Sequence, residues 1–200
     1  NAALQVIENY ALESSAAPQL NNYTALGLSN VTVDNLAAVN SAIKAQDSVE
    51  TINTATKVEA LVSTYNTLLT EVSSAMPNDA NAVTLTATQY EAIGADIGAA
   101  ADAQNANNLA LINDVMLTQQ VVNVDTVAEV SALALVANTI QAIATDQVTA
   151  PLLTVDDFNR IGLSGVHDGN LESLLALIAA QPNNGSSTNS VKKLQTLVGS

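Results

Sequence analysis

The chain lacks cysteine and tryptophan, and its 200 residues include only one phenylalanine, four tyrosines and one histidine. Without cysteine it can form neither a disulfide nor a thiolate metal site, which is compatible with secretion from a bacterium that does not use oxidative cross-links. A Ser-His-Asp triad would have to use His167, whose place in a loop before a predicted helix is more typical of a surface residue. The core must therefore be built mainly from alanine, valine and leucine.

Basic residues are scarce as well. Five lysine and arginine residues stand against nineteen aspartate and glutamate residues, for a formal net charge of −14 at pH 7. Such a surface repels nucleic-acid phosphates and anionic lipid headgroups. The longest apolar run, 174–180, is far shorter than the ~20 residues that span a bilayer. We therefore expect no nucleic-acid partner and no membrane insertion.

The stretch 151–178 is the clearest of three internal copies of one pattern. Seven of its residues match the first copy at identical spacing: Phe158, Ile161, Gly162, Leu163, Val166, Asn170 and Leu171 lie over Tyr23, Leu26, Gly27, Leu28, Val31, Asn35 and Leu36. A middle copy matches at Tyr90, Ile93 and Gly94 and, after six additional residues, at Asn108 and Leu109. Internal similarity of this kind indicates tandem units, each of which covers its neighbour's apolar face.

The repeats predict an all-α fold of three tandem helical-repeat units that form an extended bundle or array. Each unit is expected to have a short helix, a glycine turn, a second helix and a long third helix. The predicted domains are 1–17 (the C-terminal helix of a truncated preceding repeat), 18–76 (repeat 1), 77–150 (repeat 2) and 151–200 (repeat 3, truncated). Since no signal-peptide pattern precedes the helical pattern at Asn1, the chain is interpreted as a segment of a longer protein.

Hydrophobic periodicity carries the helical prediction. The third helices show the longest stripes, with Val58, Leu61, Val62, Tyr65, Leu68 and Val72 in repeat 1, and Val130, Leu133, Ala137, Ile140 and Ala144 in repeat 2. These follow the 3.6-residue period of an amphipathic helix. Alternation typical of a strand occurs only locally, in 82–87 and 120–124. A helical architecture is therefore favoured over a β reading.

Prolines and glycines are expected to play structural roles. Proline disfavours the α conformation in the residue before it, so a proline at the start of each unit should end the preceding helix; these are Pro18, Pro77 and Pro151. A glycine after each short helix should take the left-handed conformation that ends it, followed where possible by an apolar residue; these are Gly27, Gly94 and Gly162.

Short polar residues mark the predicted helix starts. The first helices should be capped by Asn21, by Thr86 with Gln89, and by Thr154 with Asp157. The second helices should be capped by Asp34, Asn107 and Asp168. The third helices should start at Asn53-Thr54, Asp125-Thr126 and Asn189-Ser190, where Thr126 and Glu129 form a full capping box.

Few residues suggest chemistry. The carboxylates of Asp156, Asp157 and Asp168 could converge on calcium, but their spacing is not that of an EF-hand, and acids at helix starts are more simply explained by the helix dipole. The glycines never form a phosphate-binding loop, and the glutamates lack the histidine partners of a di-iron bundle. We therefore expect no enzyme activity and no cofactor, with calcium as a weak alternative. Tyr23 and Tyr90 align with Phe158 and are expected in the core.

The segment Y-T-A-L-G-L-S-N-V-T-V-D-N-L-A-A-V-N-S-A-I, at 23–43, resembles helical repeats of very large bacterial surface proteins. These include RTX-type adhesins and multi-repeat proteins that carry Ig-like modules. The resemblance covers essentially the whole chain in three copies, although the middle copy departs from it through an insertion that includes G-A-A-A-D-A. It supplies no catalytic residues.

The resemblance implies a structural or adhesive segment of a large secreted or cell-surface protein, located outside the cell or on its surface. Its partners would be neighbouring repeats of the same polypeptide, with a host or surface protein or glycan as a further partner. The alternative is a binding module that recognises a peptide or glycan on the surface of the helical array.

Overall fold

A computed structural model of the chain describes residues 1–12, 15–74, 82–147 and 153–200. In these ranges the structure has ten α-helices and no strand, so the predicted all-α class is confirmed. The helices are α1 (Ala2–Leu12), α2 (Leu20–Ala25), α3 (Leu36–Lys44), α4 (Ala55–Ser74), α5 (Ala87–Ala92), α6 (Ala106–Met116), α7 (Val127–Ala144), α8 (Val155–Arg160), α9 (Asp168–Ala179) and α10 (Val191–Val198). Short 3-10 helices lie at Val49–Thr51, Gly98–Ala101, Ala103–Asn105 and Val121–Asn123.

One order of helices occurs in each predicted repeat. A helix of six residues comes first (α2, α5 and α8), followed by a second helix of 9 to 12 residues (α3, α6 and α9). The third helix has 20 residues in α4, 18 in α7 and 8 in α10. The insertion of the middle copy forms the two 3-10 helices before α6. The division into three tandem units stays a prediction.

One connected cluster of buried side chains runs from α1 to α10. Its largest members are aromatic residues that are 0% exposed, namely Tyr23, Tyr65, Tyr90 and Phe158. The expected core positions of Tyr23 and Tyr90 are therefore correct. Aliphatic stripes on the second and third helices pack around these rings. Contacts such as α3 with α7 and α7 with α9 join neighbouring predicted repeats into one core.

Helix α7 is more apolar than the sequence analysis allowed for. It has a mean hydropathy of 1.6 over 18 residues, and among the helices that the structure describes it alone is long and apolar enough to cross a membrane by these criteria. However, 56% of its residues are buried inside the fold, where they pack against α6 and α9. The core helix of a soluble protein passes the same test, so this helix is weak support for a membrane span.

The predicted caps of the third helices are present. The hydroxyls of Thr54, Thr126 and Ser190 each accept from the backbone amide three residues later, at 3.2 to 3.3 Å. In repeat 2 the Glu129 carboxylate also accepts from the Thr126 amide at 3.0 Å, which completes the predicted capping box. Such caps satisfy amides that have no partner inside the helix.

Several predicted caps of the first and second helices are wrong. The N-cap of α2 is Gln19, and Asn21 lies inside the helix. Similarly, Asp34, Asn107 and Asp168 do not cap α3, α6 and α9, whose N-caps are Asn35, Asn105 and His167. In α3 the helix begins later than expected because the Asn35 side chain holds the preceding turn, accepting from Thr32 N at 2.7 Å and donating to Asn30 O at 2.8 Å.

Of the three prolines predicted to end helices, the structure describes one. Pro18 is buried, and its carbonyl accepts a hydrogen bond from Asn40 Nδ2 at 3.0 Å. Pro77 and Pro151 lie outside the described residues.

Candidate functional site

The three glycines predicted to end the short helices share one geometry. Their φ angles are 84° for Gly27, 83° for Gly94 and 90° for Gly162. The amide that follows each glycine donates to the carbonyl of the aromatic residue five positions earlier, at 3.0 to 3.1 Å. This hydrogen bond and the positive φ define a Schellman motif, in which a residue with a Cβ is disfavoured.

Two of these glycines also lie against the preceding predicted repeat. A Cβ built on Gly94 would be 2.6 Å from Ala45 Cβ, and one built on Gly162 would be 2.8 Å from Thr118 Cβ. Ala45 and Thr118 are equivalent residues, nine positions after the aligned Leu36 and Leu109. Among the described residues, a Cβ on Gly27 would meet nothing within 4 Å. At Gly94 and Gly162, the absence of a side chain therefore lets the end of one second helix approach the next short helix.

A glutamine joins the same two helix ends. Gln46 Nε2 donates to Ala42 O at 3.0 Å, in its own helix, and to Ala92 O at 3.3 Å, at the end of α5. Its equivalent, Gln119, donates to Val115 O and to Arg160 O, both at 3.1 Å. Both glutamines are buried, with 8% and 7% of their surface exposed. The same side chain thus bridges α3 to α5 and α6 to α8.

A second contact joins α3 and α6 each to the third helix of the next predicted repeat. Ser41 Oγ on α3 accepts from the amide of Val127, the first residue of α7, at 3.0 Å. At the equivalent position on α6, Asp114 Oδ2 accepts from the amide of Val191, the first residue of α10, at 2.6 Å. The first amides of a helix lack internal partners, and an acid there is favoured by the helix dipole.

Third helices contact the next predicted repeat through polar groups as well. Tyr65 OH on α4 donates to Val124 O at 3.0 Å, and Gln141 Nε2 on α7 donates to Thr188 Oγ1 at 3.1 Å. Val124 and Thr188 are equivalent, two residues before the caps of α7 and α10. Gln141 Oε1 is the buried side-chain atom for which the described part of the chain offers no hydrogen-bond partner.

Buried polar side chains are therefore concentrated at contacts between predicted repeats. In the described ranges the structure has six such residues: Gln46, Asp114, Gln119, Thr139, Gln141 and Thr188. All except Thr139 take part in the contacts above; Thr139 bonds within its own helix, to Leu135 O. We call this set of contacts the junction: the Gly94 and Gly162 approach, the two glutamine bridges and the amide contacts of Val127 and Val191.

A tyrosine–asparagine pair holds each of the first two short helices to its second helix. Tyr23 OH donates to Asn40 Oδ1 at 2.6 Å, and Tyr90 OH donates to Asn113 Oδ1 at 2.9 Å. Burial raises the pKa of both hydroxyls well above the ordinary value, so they remain protonated donors. In repeat 3 the equivalent residues are Phe158 and Leu175. The pair is thus replaced as a whole by two apolar side chains.

The calcium candidates lie in separate caps. Asp157 Oδ2 accepts from Thr154 N at 2.9 Å and from Thr154 Oγ1 at 2.7 Å, at the start of α8. Asp156 lies beside it in the first turn of α8, and Asp168 is the first residue of α9. Within the described ranges no three or more His, Cys, Asp or Glu side chains are grouped to hold a metal, so these three aspartates do not form such a site.

His167 has a capping role that the sequence analysis missed. Its Nδ1 accepts from Gly169 N at 3.1 Å, and its own amide donates to Asn170 Oδ1 at 2.8 Å. The side chain is exposed. The sequence pattern His-x-x-Asn could have indicated this cap, because it places two side-chain acceptors, on His167 and Asn170, at the spacing of a capping box.

A groove lies beside the junction between α6–α7 and α8. It has a volume of about 740 Å³ and is open to solvent. Polar and small residues make up most of its lining, including Gln119, Gln120, Asn123 and Asn159. The charged residues of this lining are Arg160 and Glu129. Glu129 is held in the capping box of α7. The neighbouring Asp125 has its pKa raised by burial and by a hydrogen bond to Glu129.

Comparison with known proteins adds no relative to this picture. No protein-family model, curated protein or solved structure matches the chain. The function must therefore be argued from the residues and contacts described above.

Proposed function

We propose that the chain is a non-catalytic structural or adhesive repeat segment of a large secreted or cell-surface bacterial protein. It would consist of three tandem helical units, at 18–76, 77–150 and 151–200, preceded by the end of another unit at 1–17. Neighbouring units of the same polypeptide would be its main partners. The observation that carries this proposal is the use of the buried polar side chains: five of the six form contacts between successive units.

The junction geometry supports a spacer because it recurs with equivalent residues. Gln46 and Gln119 make the same pair of hydrogen bonds, and Ser41 and Asp114 accept from equivalent amides. A buried hydrogen bond contributes about 0.5–1.5 kcal/mol net and costs more when it is broken on one side. Because the bonds are directional, they fix the angle at which one unit follows the next.

An enzyme would use its buried polar groups differently. Catalysis needs acids, bases or nucleophiles that converge on a pocket. The open groove of about 740 Å³ has Glu129 as its one acid, which is occupied in a helix cap. The acidic, amide-rich surface and the resemblance to adhesin repeats support an extracellular or cell-surface location.

Rigidity is the property that tests this proposal. Since the chain has no cysteine, Gln5→Cys in α1 and Thr196→Cys in α10 would place two spin labels near its ends. Pulsed electron–electron double resonance is expected to give one narrow distance distribution between the two labels, unchanged by added calcium or EDTA. A control pair on the single helix α7, Ala128→Cys with Ala142→Cys, should lie about 21 Å apart along the helix axis and calibrates the width caused by the labels. A distribution much broader than the control would refute a rigid spacer.

The groove favours a second candidate, a binding module for a peptide or glycan. Its polar lining and the Arg160 guanidinium would suit hydroxyl or carboxylate groups. Peptide and glycan arrays would test it: specific binding that Arg160→Ala abolishes and Lys192→Ala preserves would favour this candidate over a pure spacer.

A further inference from the structure

The end of α9 carries one half of a junction. Gln181 occupies the position of Gln46 and Gln119, ten residues after the aligned leucine of each second helix. Its Nε2 donates to Leu177 O at 3.0 Å, which is the bond that the other two glutamines make within their own helices. Their second acceptor lies on the next short helix. Gln181 has no such second acceptor among the described residues.

The end of α2 carries the complementary half. Gly27 has the same positive φ as Gly94 and Gly162. Ala45 and Thr118 fill the space against those two glycines, but none of the residues that the structure describes lies within 4 Å of a Cβ built on Gly27. The Ala25 carbonyl, two residues before Gly27, is equivalent to Ala92 O and Arg160 O, which are the second acceptors of Gln46 and Gln119. This surface therefore lacks the helix end that covers its two equivalents.

Apolar side chains beside Gly27 and Gln181 are less buried than their equivalents at the internal junctions. Leu26, beside Gly27, is half-buried, whereas its equivalents Ile93 and Ile161 are 0% exposed. On the other end, Leu177 is half-buried, whereas its equivalent Val115 is 0% exposed. Apolar side chains at both ends are thus left partly open where the internal junctions cover them.

The third helices also allow the two ends to meet. Ser190 aligns with Thr54 and Thr126, so α10 corresponds to the beginning of a third helix. Helix α1 packs on α2 and leads into it, as α4 does with α5.

We infer that these two ends bind each other, so that a second copy of this chain docks the Gln181 end of its α9 onto the Gly27 surface. This inference rests on the proposed repeat organisation. In the complex, Gln181 Nε2 donates to the Ala25 carbonyl, and Ala180 packs on Gly27 as Ala45 packs on Gly94. One bond of the internal junction is missing, because Ala176 cannot accept as Ser41 and Asp114 do. Because the contact joins two different surfaces, it propagates into open-ended chains rather than closed dimers.

Sedimentation velocity on the whole chain tests the inference, at concentrations rising to the order of 1 mM. The average mass is expected to rise reversibly with concentration and to pass beyond that of a dimer. Ala180→Arg should lower the association constant at least about tenfold, because the larger side chain cannot fit against Gly27. Ala110→Arg, at an exposed helical alanine in the middle of the chain, is the matched control and should associate like the parent.

A mixing experiment tests the pairing of the two surfaces. Leu26→Arg should block the α2 end, as Ala180→Arg blocks the α9 end, so each variant alone is expected to stay monomeric. Mixed together, they should form a heterodimer and nothing larger, since each contributes one free end. A parent that is monomeric at the highest concentration, or an Ala180→Arg variant that associates like the parent, would overturn the inference. The spin-label measurement, made on the monomeric Ala180→Arg background, would still report on the proposed spacer function alone.

Discussion

Removing the tyrosine hydroxyl from repeat 2 should cost stability, and substituting its partner as well should cost less than the two single losses together. Tyr90→Phe deletes the 2.9 Å bond to Asn113 Oδ1 and leaves that oxygen half-buried without its donor. The expected loss is about 1–2 kcal/mol, the sum of a net hydrogen bond and part of the desolvation cost of the orphaned acceptor. In a chain of this length, each kcal/mol lowers the melting temperature by about 2–4 °C.

The partner substitution alone should cost at least as much. Asn113→Leu leaves the fully buried Tyr90 hydroxyl without an acceptor and removes the donor to Leu85 O, which Asn113 Nδ2 supplies at 3.0 Å. The double variant replaces both partners by the residues that repeat 3 uses, Phe158 and Leu175. It is therefore expected to be more stable than the sum of the single losses predicts, by about 1 kcal/mol or more.

Urea denaturation followed by circular dichroism measures this double-mutant cycle, with the change in midpoint converted to free energy at a common slope. The same cycle at Tyr23 and Asn40, which form the equivalent 2.6 Å bond, serves as an internal replicate. A coupling energy below about 0.3–0.5 kcal/mol would mean that the two side chains act independently. That result would refute the claim that the pair is exchanged as a unit.

Two further predictions concern the turn glycines and the aspartate that precedes the cap of α7. Gly162→Ala should destabilise the fold more than Gly27→Ala in thermal melts: both place a Cβ at positive φ, at about 1–2 kcal/mol, but only the first also meets Thr118; equal losses would contradict the close approach. The pKa of Asp125 is raised by burial and by Glu129, so the folded state favours the protonated carboxyl. This contribution to stability is complete below the ordinary pKa of 3.8 and is lost as pH rises through the pKa of the folded state. Asp125→Asn is therefore expected to raise the melting temperature at about pH 7 and to have little effect at about pH 3; an equal gain at both pH values would rule out titration as the cause.

Local rules predicted the parts of the fold that depend on nearby residues. The glycine turns and the threonine and serine caps of the third helices follow from backbone conformation and short-range hydrogen bonds, and both could be read from spacing. At α3 the predicted cap failed where the next side chain, that of Asn35, has a more distant partner. Asn35 donates to Asn66 Oδ1, 31 residues away, at 2.7 Å, and this bond ties the residue into the turn before α3.

The polar contacts of the junction could not be predicted from local rules. The three copies are recognised mainly by their apolar residues, and the glutamines of the junction are not among those. Gln46, Gln119 and Gln181 recur at a constant distance from the aligned leucines, and this was the available signal. The acceptors of these glutamines could not be predicted from residue spacing, because Ala92 and Arg160 contribute only backbone carbonyls. A carbonyl is present in every residue, so its use depends on the tertiary arrangement alone.

The weak similarity between the copies follows from what the contacts require. Ser41 and Asp114 both present an oxygen to a helix-terminal amide, so the contact survives a change of residue type. The third copy goes further: Phe158 and Leu175 occupy the positions of the hydrogen-bonded pair, and both pack in the core without a polar group. Selection on such contacts constrains pairs of positions rather than single residues, because a buried donor is costly only when its acceptor is absent. The glycines are held more tightly, since the positive φ and the close approach at Gly94 and Gly162 leave no alternative residue. Under the proposed repeat organisation, tandem units can therefore diverge in sequence while they keep one junction, as the proposed spacer function would require.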